Sequence, residues 1–219
     1  MEHLGIGPDH VVVDLAAGTG KLTRTLVGTG ARLLAVEPSA GMRRHLVAAV
    51  PGAEAQDGTA EALPFDDQSV DAVVVGQAFH WFDGGRALLE LHRVLRPGAG
   101  LGMVWNRRDR TVGWVERLAE LTEPYRRDVP TYRDGRWREA FDHRPDLFTP
   151  LQHQAFPYEH EVTAEIMVER MASISWIASL PDGERAELLD RITEIFEDMP
   201  ERFPVPYHTD VWWCHAVRH

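Results

Sequence analysis

Cysteine is almost absent: Cys214 stands alone in 219 residues. No disulfide can close within the chain, which excludes the small stapled secreted folds and fits a reducing, cytoplasmic compartment. Long apolar runs are missing too. No stretch approaches the roughly 18 residues that a membrane-spanning helix needs. The start, Met1-Glu2-His3-Leu4-Gly5, has no basic segment leading into an apolar one, so no signal peptide is read there. Positive charge is scarce, with 23 Lys and Arg against 34 Asp and Glu and a formal net charge of -11. Such a surface repels phosphate backbones, and Arg107, Arg108, Arg110, Arg126 and Arg127 make no long basic stripe, so nucleic acid is not an expected partner. Metal-ligand spacing is lacking. His153/His160 and His208/His215 stand seven apart with no cysteine beside them, and read as surface histidines. Repeats and low-complexity segments are absent.

The chain does have enough apolar residues, 44%, to fill a core. Its length suits one domain carrying a sizeable insertion. In the first hundred residues, continuous apolar runs alternate with helical patterns. Val11–Leu15, Leu33–Val36, Val70–Val75 and Leu101–Trp105 read as strands buried on both faces. Helices are expected over Lys21–Val27, from an N-cap at Ser39 to about Val50, and after an N-cap at Asp83, with Leu88, Leu91, Val94 and Leu95 on one face. Pro51-Gly52 and Pro97-Gly98 read as turns. The alternation predicts an α/β fold, a mostly parallel sheet covered on both sides. The second half changes character. Helices are expected at about 112–123, 163–179 and 183–198, and strands at about 151–161 and 205–217. Residues 1–106 are read as the ligand-binding half. Residues 107–219 are read as final strands plus insertions (107–150 and 163–203) that form a cap.

The chemistry concentrates in Asp14-Leu15-Ala16-Ala17-Gly18-Thr19-Gly20-Lys21, where a strand ends in a Gly-rich turn and a helix opens. Gly18 and Gly20 let the backbone approach a ligand, and the helix start offers free N–H groups. A P-loop is excluded, because Leu15 sits where its first Gly belongs and Leu22 follows Lys21. A dinucleotide fingerprint fits poorly, with Thr23 at its last glycine position. A third ligand, S-adenosylmethionine, has no phosphate but carries a sulfonium and an ammonium, which a carboxylate such as Asp14 can help hold. Glu37 ends the second strand, where a carboxylate can accept both ribose hydroxyls of either cofactor type.

These segments, with others in the same order, resemble the class I methyltransferases of the type 11 family, the group around ubiquinone-biosynthesis and trans-aconitate methyltransferases. The others are Val36-Glu37-Pro38-Ser39, Gly58 to Phe65, Asp71 to Val75, Gln77-Ala78-Phe79-His80-Trp81-Phe82 and Arg93 to Gly98. The resemblance covers residues 11–106. It implies a Rossmann-like seven-stranded sheet of order 3-2-1-4-5-7-6 and S-adenosylmethionine-dependent methyl transfer to a small-molecule O, N or C nucleophile. It places Ala16, Gly18 and Gly20 along the methionine and ribose, Glu37 on the ribose diol, Pro38 and Met42 beside the adenine, Ala60 as a backbone contact and Gln77 at the methionine end. Thr59 stands where the family usually has an Asp for the adenine amino group, and a hydroxyl accepts more weakly. The usual Pro-Gly-Gly turn reads Pro97-Gly98-Ala99 here.

His80 follows the fourth strand at the carboxyl edge, where ligands bind, and is the candidate base; it also reads as a wall of the pocket. Trp114, Tyr125, Tyr132, Trp137 and Trp176 read either as the lining of an apolar substrate cavity or as core, and Trp212-Trp213 as sheet packing. Two rivals remain: an NAD-dependent oxidoreductase on the same architecture, and a non-catalytic S-adenosylmethionine sensor. In this family a helix before the first strand commonly folds over the cofactor. Met1 to His10 is too short to supply it, so either the protein starts further upstream or its cofactor side is open; in both cases a more solvated site is expected, with exposed apolar surface available to a homodimer.

Overall fold

The computed structural model describes residues 2–127 and 129–218. Met1, where the short leading segment starts, lies outside the described residues, as do Asp128 and His219. The strands are β1 (Val11–Leu15), β2 (Arg32–Val36), β3 (Glu54–Gln56), β4 (Val70–Gly76), β5 (Leu95–Arg108), β6 (Gln152–Val162) and β7 (Phe203–His215). They form one sheet of order β3-β2-β1-β4-β5-β7-β6. Its first four pairings, β2 with β3, β1 with β2, β1 with β4 and β4 with β5, are parallel. Along β7 the direction reverses: Gly98 N–H donates to Ala216 O, whereas Asp109 N–H donates to Pro206 O.

The chain divides into two compact units, Met1–Trp105 with Pro130–Gln154 and Asp210–His219, and Asn106–Val129 with Ala155–Thr209. The first unit explains the continuous apolar runs. Alternate strand residues serve opposite faces, so both must be apolar. Val13, Leu15, Leu34, Val36, Val73 and Val75 face one core, with Ala87, Leu88, Leu91 and Val94 of α3 (Gly84–Val94), Trp137, and Phe141 of α5 (Glu139–Asp142). Val12, Leu33, Ala35, Ala72 and Val74 face the other, under Leu26 of α1 (Lys21–Leu26) and Leu46 of α2 (Ala40–Ala49). Near the start, Leu4 fills space that β5 leaves open: its methyls lie 2.6 and 2.8 Å from where Cβ atoms on Gly100 and Gly102 would stand.

Both expected caps form: Ser39 Oγ accepts from Met42 N–H, and Asp83 Oδ1 from Arg86 N–H. Two readings need correction. Pro97-Gly98 is no turn between elements but lies inside β5, where Gly98 takes φ +83°. The helix expected at 163–179 is two, α6 (Ala164–Ala172) and α7 (Ser175–Ala178). Between them the Ser173 hydroxyl donates back to Arg170 O and Ile174 turns extended.

The second unit holds its own core. Leu118 of α4 (Gly113–Arg126), Met167 and Met171 of α6, Ile177 of α7, and Leu188 and Ile192 of α8 (Asp182–Glu194) pack with Phe203 and Val205. The aromatics read either as cavity lining or as core are divided between two cores. Trp114, Tyr125 and Trp176 belong to this second core, and Tyr132 and Trp137 to the first unit's.

Candidate functional site

The Gly-rich turn starts where β1 ends. Three of its residues take left-handed backbone: Ala16 at φ +56°, Gly18 at +57° and Gly20 at +82°. Ala16 carries a side chain in that region, which costs about 1–2 kcal/mol. The two glycines have different surroundings. A Cβ on Gly20 would stand 2.9 Å from Leu46 Cγ and 3.3 Å from Val50 Cγ2, so this glycine lets α2 come close. A Cβ on Gly18 would meet nothing within 4 Å. Gly20 serves packing, and Gly18 borders open space.

Beneath the turn lies Asp14, 1% exposed. Its Oδ2 accepts from Thr23 Oγ1–H at 2.6 Å, while Oδ1 is buried without a partner. Burial, only partly offset by the Thr23 bonds, pushes its pKa up to about 6. Thr23 therefore has a task a glycine at that place could not perform.

Glu37 is also buried, and both carboxylate oxygens hold loops: Oε2 accepts from Gly18 N–H at 3.0 Å and Oε1 from Ser39 N–H at 2.8 Å. Arg43 ties down the same corner. Its Nη1 donates to the carbonyls of Glu37 and Pro38, and the guanidinium pairs with Asp57 at 3.2 Å. Pro38 and Met42 are exposed beside this corner. Across the β3 side, Thr59 is exposed and bridges back to Ala62, and Ala60 is buried. Gln77, just past β4, is exposed and left-handed at φ +62°, with its N–H on Val104 O at 2.8 Å. Asp14, Ala16, Gly18, Glu37 and Gln77 thus lie at the carboxyl ends of three adjacent strands, the edge where ligands of such sheets bind.

Beyond Gln77 the chain makes a short 3-10 turn, Phe79–Trp81. His80 is half-buried there. Its Nδ1 accepts from the Trp105 indole N–H at 3.2 Å, and burial lowers its pKa against the opposing charge of Asp134. His80 borders a cavity of about 230 Å³ that is also lined by Phe79, Phe82, Trp137, Ala140 and Pro130, with Asp134 and Arg136 as its charged groups. Trp105, stacked on Tyr132 at 4.6 Å and packed on Trp137 at 4.7 Å, sits behind it. No spacing or motif links Asp134 and Arg136 to His80 along the chain. They arrive by the Thr131–Asp134 capping box and the next 3-10 turn, a fold-level juxtaposition with no local signature.

The histidines read as surface groups have individual partners. His153 bonds Asp210 at 2.8 Å and stacks on Trp212, and His208 bonds Asp109 at 3.2 Å. Among the described residues no group of three His, Cys, Asp or Glu could hold a metal, and no helix is long and apolar enough to cross a membrane.

Residues 13–102 match the family model described as a methyltransferase domain. A protein described as an uncharacterized methyltransferase of Mycobacterium tuberculosis is 42% identical over 189 residues, 86% of this chain and 74% of that one. Solved structures share the fold. A candidate type II methyltransferase of Anaeromyxobacter dehalogenans superposes with a TM-score of 0.71 at 24% identity, over 99% of this chain and 94% of its own. The geranyl diphosphate C-methyltransferase of Streptomyces coelicolor, solved with S-adenosyl-L-homocysteine among its ligands, gives 0.53 at 17%, over 99% of this chain and 73% of its own.

Proposed function

We propose that this chain, which belongs to the methyltransferase family, uses S-adenosylmethionine to methylate a small molecule, with residues 1–106 holding the cofactor and 107–219 supplying a cap and the last strands. The carrying observation is the buried Asp14 Oδ1 with no partner, set under a glycine turn that has open space above Gly18. A buried carboxylate oxygen left free asks for a cationic donor, and the cofactor's ammonium, directly or through water, is one. When bound, the cofactor supplies the electrophilic methyl; this chain's residues bind and orient it.

In this reading Gly18 admits the ligand, and Ala16 and Gly20 shape the turn. Glu37 accepts from the ribose diol with the lone pairs its two backbone bonds leave free. Pro38, Met42, Thr59 and Ala60 flank the adenine, and Gln77 meets the methionine end. His80 borders the acceptor. A base role would require its ring to give up the Trp105 bond, since Nδ1 is the accepting nitrogen and Nε2 carries the proton. The formal net charge of -11 and the single cysteine support a cytoplasmic enzyme that works without nucleic acid. Exposed Met42, Val47 and Trp81 offer apolar surface to a homodimer.

The test is isothermal calorimetry. S-adenosylmethionine and S-adenosylhomocysteine should bind and NAD should not. Glu37→Ala should lose about 2–3 kcal/mol of that binding, the value of two charge-assisted bonds. NAD binding at comparable affinity, or an unchanged Glu37→Ala, would refute the assignment. Release of S-adenosylhomocysteine with a metabolite panel separates an enzyme from a sensor.

A further inference from the structure

The His80 cavity says something about the acceptor, an inference that rests on the cofactor reading. An indole N–H can only donate, so Nδ1 of His80, which receives it at 3.2 Å, carries no proton. The neutral ring then bears its proton on Nε2, a donor with no hydrogen-bond partner among the described residues. The other charged groups at the cavity are joined to each other. Arg136 Nη2 donates to Asp134 Oδ2 at 3.2 Å, and Asp134 also accepts from the N–H groups of Thr131 and Arg136. The remaining walls are aromatic or aliphatic, Phe79, Phe82 and Trp137 among them. The cavity offers the His80 Nε2–H and the remaining guanidinium N–H groups of Arg136 as donors, apolar walls, and no base whose lone pairs are unengaged, since Asp134 already accepts three N–H bonds. At about 230 Å³ it falls below the usual span of drug-sized pockets and suits a single ring or a short chain.

Methylation of a hydroxyl, a phenol, an ammonium or a carbon acid requires a proton to leave. Methylation of a carboxylate does not. We propose that this cavity is the acceptor site and that it takes a small apolar carboxylic acid, bound as its carboxylate, with one oxygen accepting from His80 Nε2–H and the other receiving the methyl group. The oxygen lone pair forms the new O–CH₃ bond. The S–CH₃ bond breaks and its electron pair stays on sulfur, turning the sulfonium into a thioether. One negative and one positive charge cancel, a methyl ester forms, and no proton moves. Trp105 is a positioning residue in this arrangement, because its N–H selects the ring tautomer that donates.

The probes are benzoate, phenol and benzylamine, offered with methyl-labelled S-adenosylmethionine. Label should pass to benzoate and return as methanol under mild alkali, as an ester's does and an ether's or amine's does not. Benzoate should also quench tryptophan emission of protein loaded with S-adenosylhomocysteine. His80→Phe should weaken that quenching by about tenfold or more, the loss of one bond to a charged group, while His80→Gln, which keeps an N–H donor, restores most of it. S-adenosylhomocysteine affinity should stay at the parent value in both. Alkali-stable label on phenol or benzylamine in preference to benzoate overturns the proposal. So does benzoate that neither quenches nor takes methyl in protein whose calorimetry shows bound S-adenosylhomocysteine, and that result leaves the cofactor reading standing.

Discussion

Replacing Gly18 and Gly20 by alanine, one at a time, should separate ligand binding from folding within three residues of chain. Both take left-handed backbone, at φ +57° and +82°, so each alanine incurs about 1–2 kcal/mol of backbone cost. At Gly18 the cost ends there, because the new methyl meets nothing within 4 Å. At Gly20 the methyl would press on Leu46 Cγ at 2.9 Å and Val50 Cγ2 at 3.3 Å, and both belong to a fully packed core. Overpacking of that kind adds about 1–3 kcal/mol. At about 2–4 °C per kcal/mol for a chain of this size, Gly18→Ala should lower Tm by about 2–8 °C, and Gly20→Ala by about twice that. Affinity for S-adenosylhomocysteine should behave in the opposite way. Gly18→Ala puts a methyl group where the cofactor must approach the backbone and should lose at least about 1.4 kcal/mol, a factor of ten. Gly20→Ala, measured well below its Tm, should lose less. Differential scanning calorimetry and titration calorimetry on the same preparations supply both numbers. If Gly18→Ala binds like the parent, the open space over Gly18 is not where the cofactor lies. If Gly20→Ala melts with Gly18→Ala, the contact with α2 does not constrain the turn.

Asp14 should make unliganded stability depend on pH. Its folded pKa of about 6 lies above the ordinary 3.8, so the folded state keeps its proton longer, and stability falls as pH rises through that window. Asp14→Asn should therefore be more stable than the parent at pH 8, by about 2–3 kcal/mol in urea unfolding, with the gap narrowing toward pH 5; equal stability at pH 8 refutes the burial cost. Gly84→Ala would set its Cβ 2.5 Å from Ala140 Cβ and should cost about 1–3 kcal/mol, recovered largely by adding Ala140→Gly; a double variant no better than the single one refutes that contact. His80→Ala should lower turnover more than cofactor affinity, and equal losses in steady-state and binding measurements would make His80 a wall of the site.

Strands β1, β2 and β4 were legible because each is buried on both faces and so reads as an unbroken apolar run. The caps at Ser39 and Asp83 were legible because a short polar side chain before a periodic segment has few other uses. β3 was not placed by its residues. Glu54–Gln56 is three residues long, none of them fully buried, and its pairing with β2 is what makes it a strand. Pro97-Gly98 misled because proline and glycine usually break strands, yet here β4 and β5 shift register between Val70 and Ala72, and Gly98 supplies the left-handed residue on the opposite strand. The Gly-rich turn was legible as the break between β1 and α1, because glycine is the residue that takes left-handed backbone without strain. The bonds from Gly18 and Ser39 to Glu37, the Trp105–His80 bond and the approach of Asp134 were not, because each joins residues whose meeting depends on the completed sheet.

The chain passes from one unit to the other at four places, near residues 105, 129, 154 and 209. Cys214 and Ala216, both buried in the first unit's core, belong to its last segment, Asp210–His219. During synthesis, then, the Gly-rich turn leaves the ribosome before those residues do, and its unit stays incomplete until they follow. For the whole of that interval β5 has β4 on one side but lacks β7 on the other, and an unpaired strand edge is what holdase chaperones and stray strands both recognise. A single cut cannot excise either unit intact, so dissecting this protein calls for two-fragment complementation or circular permutation in place of truncation.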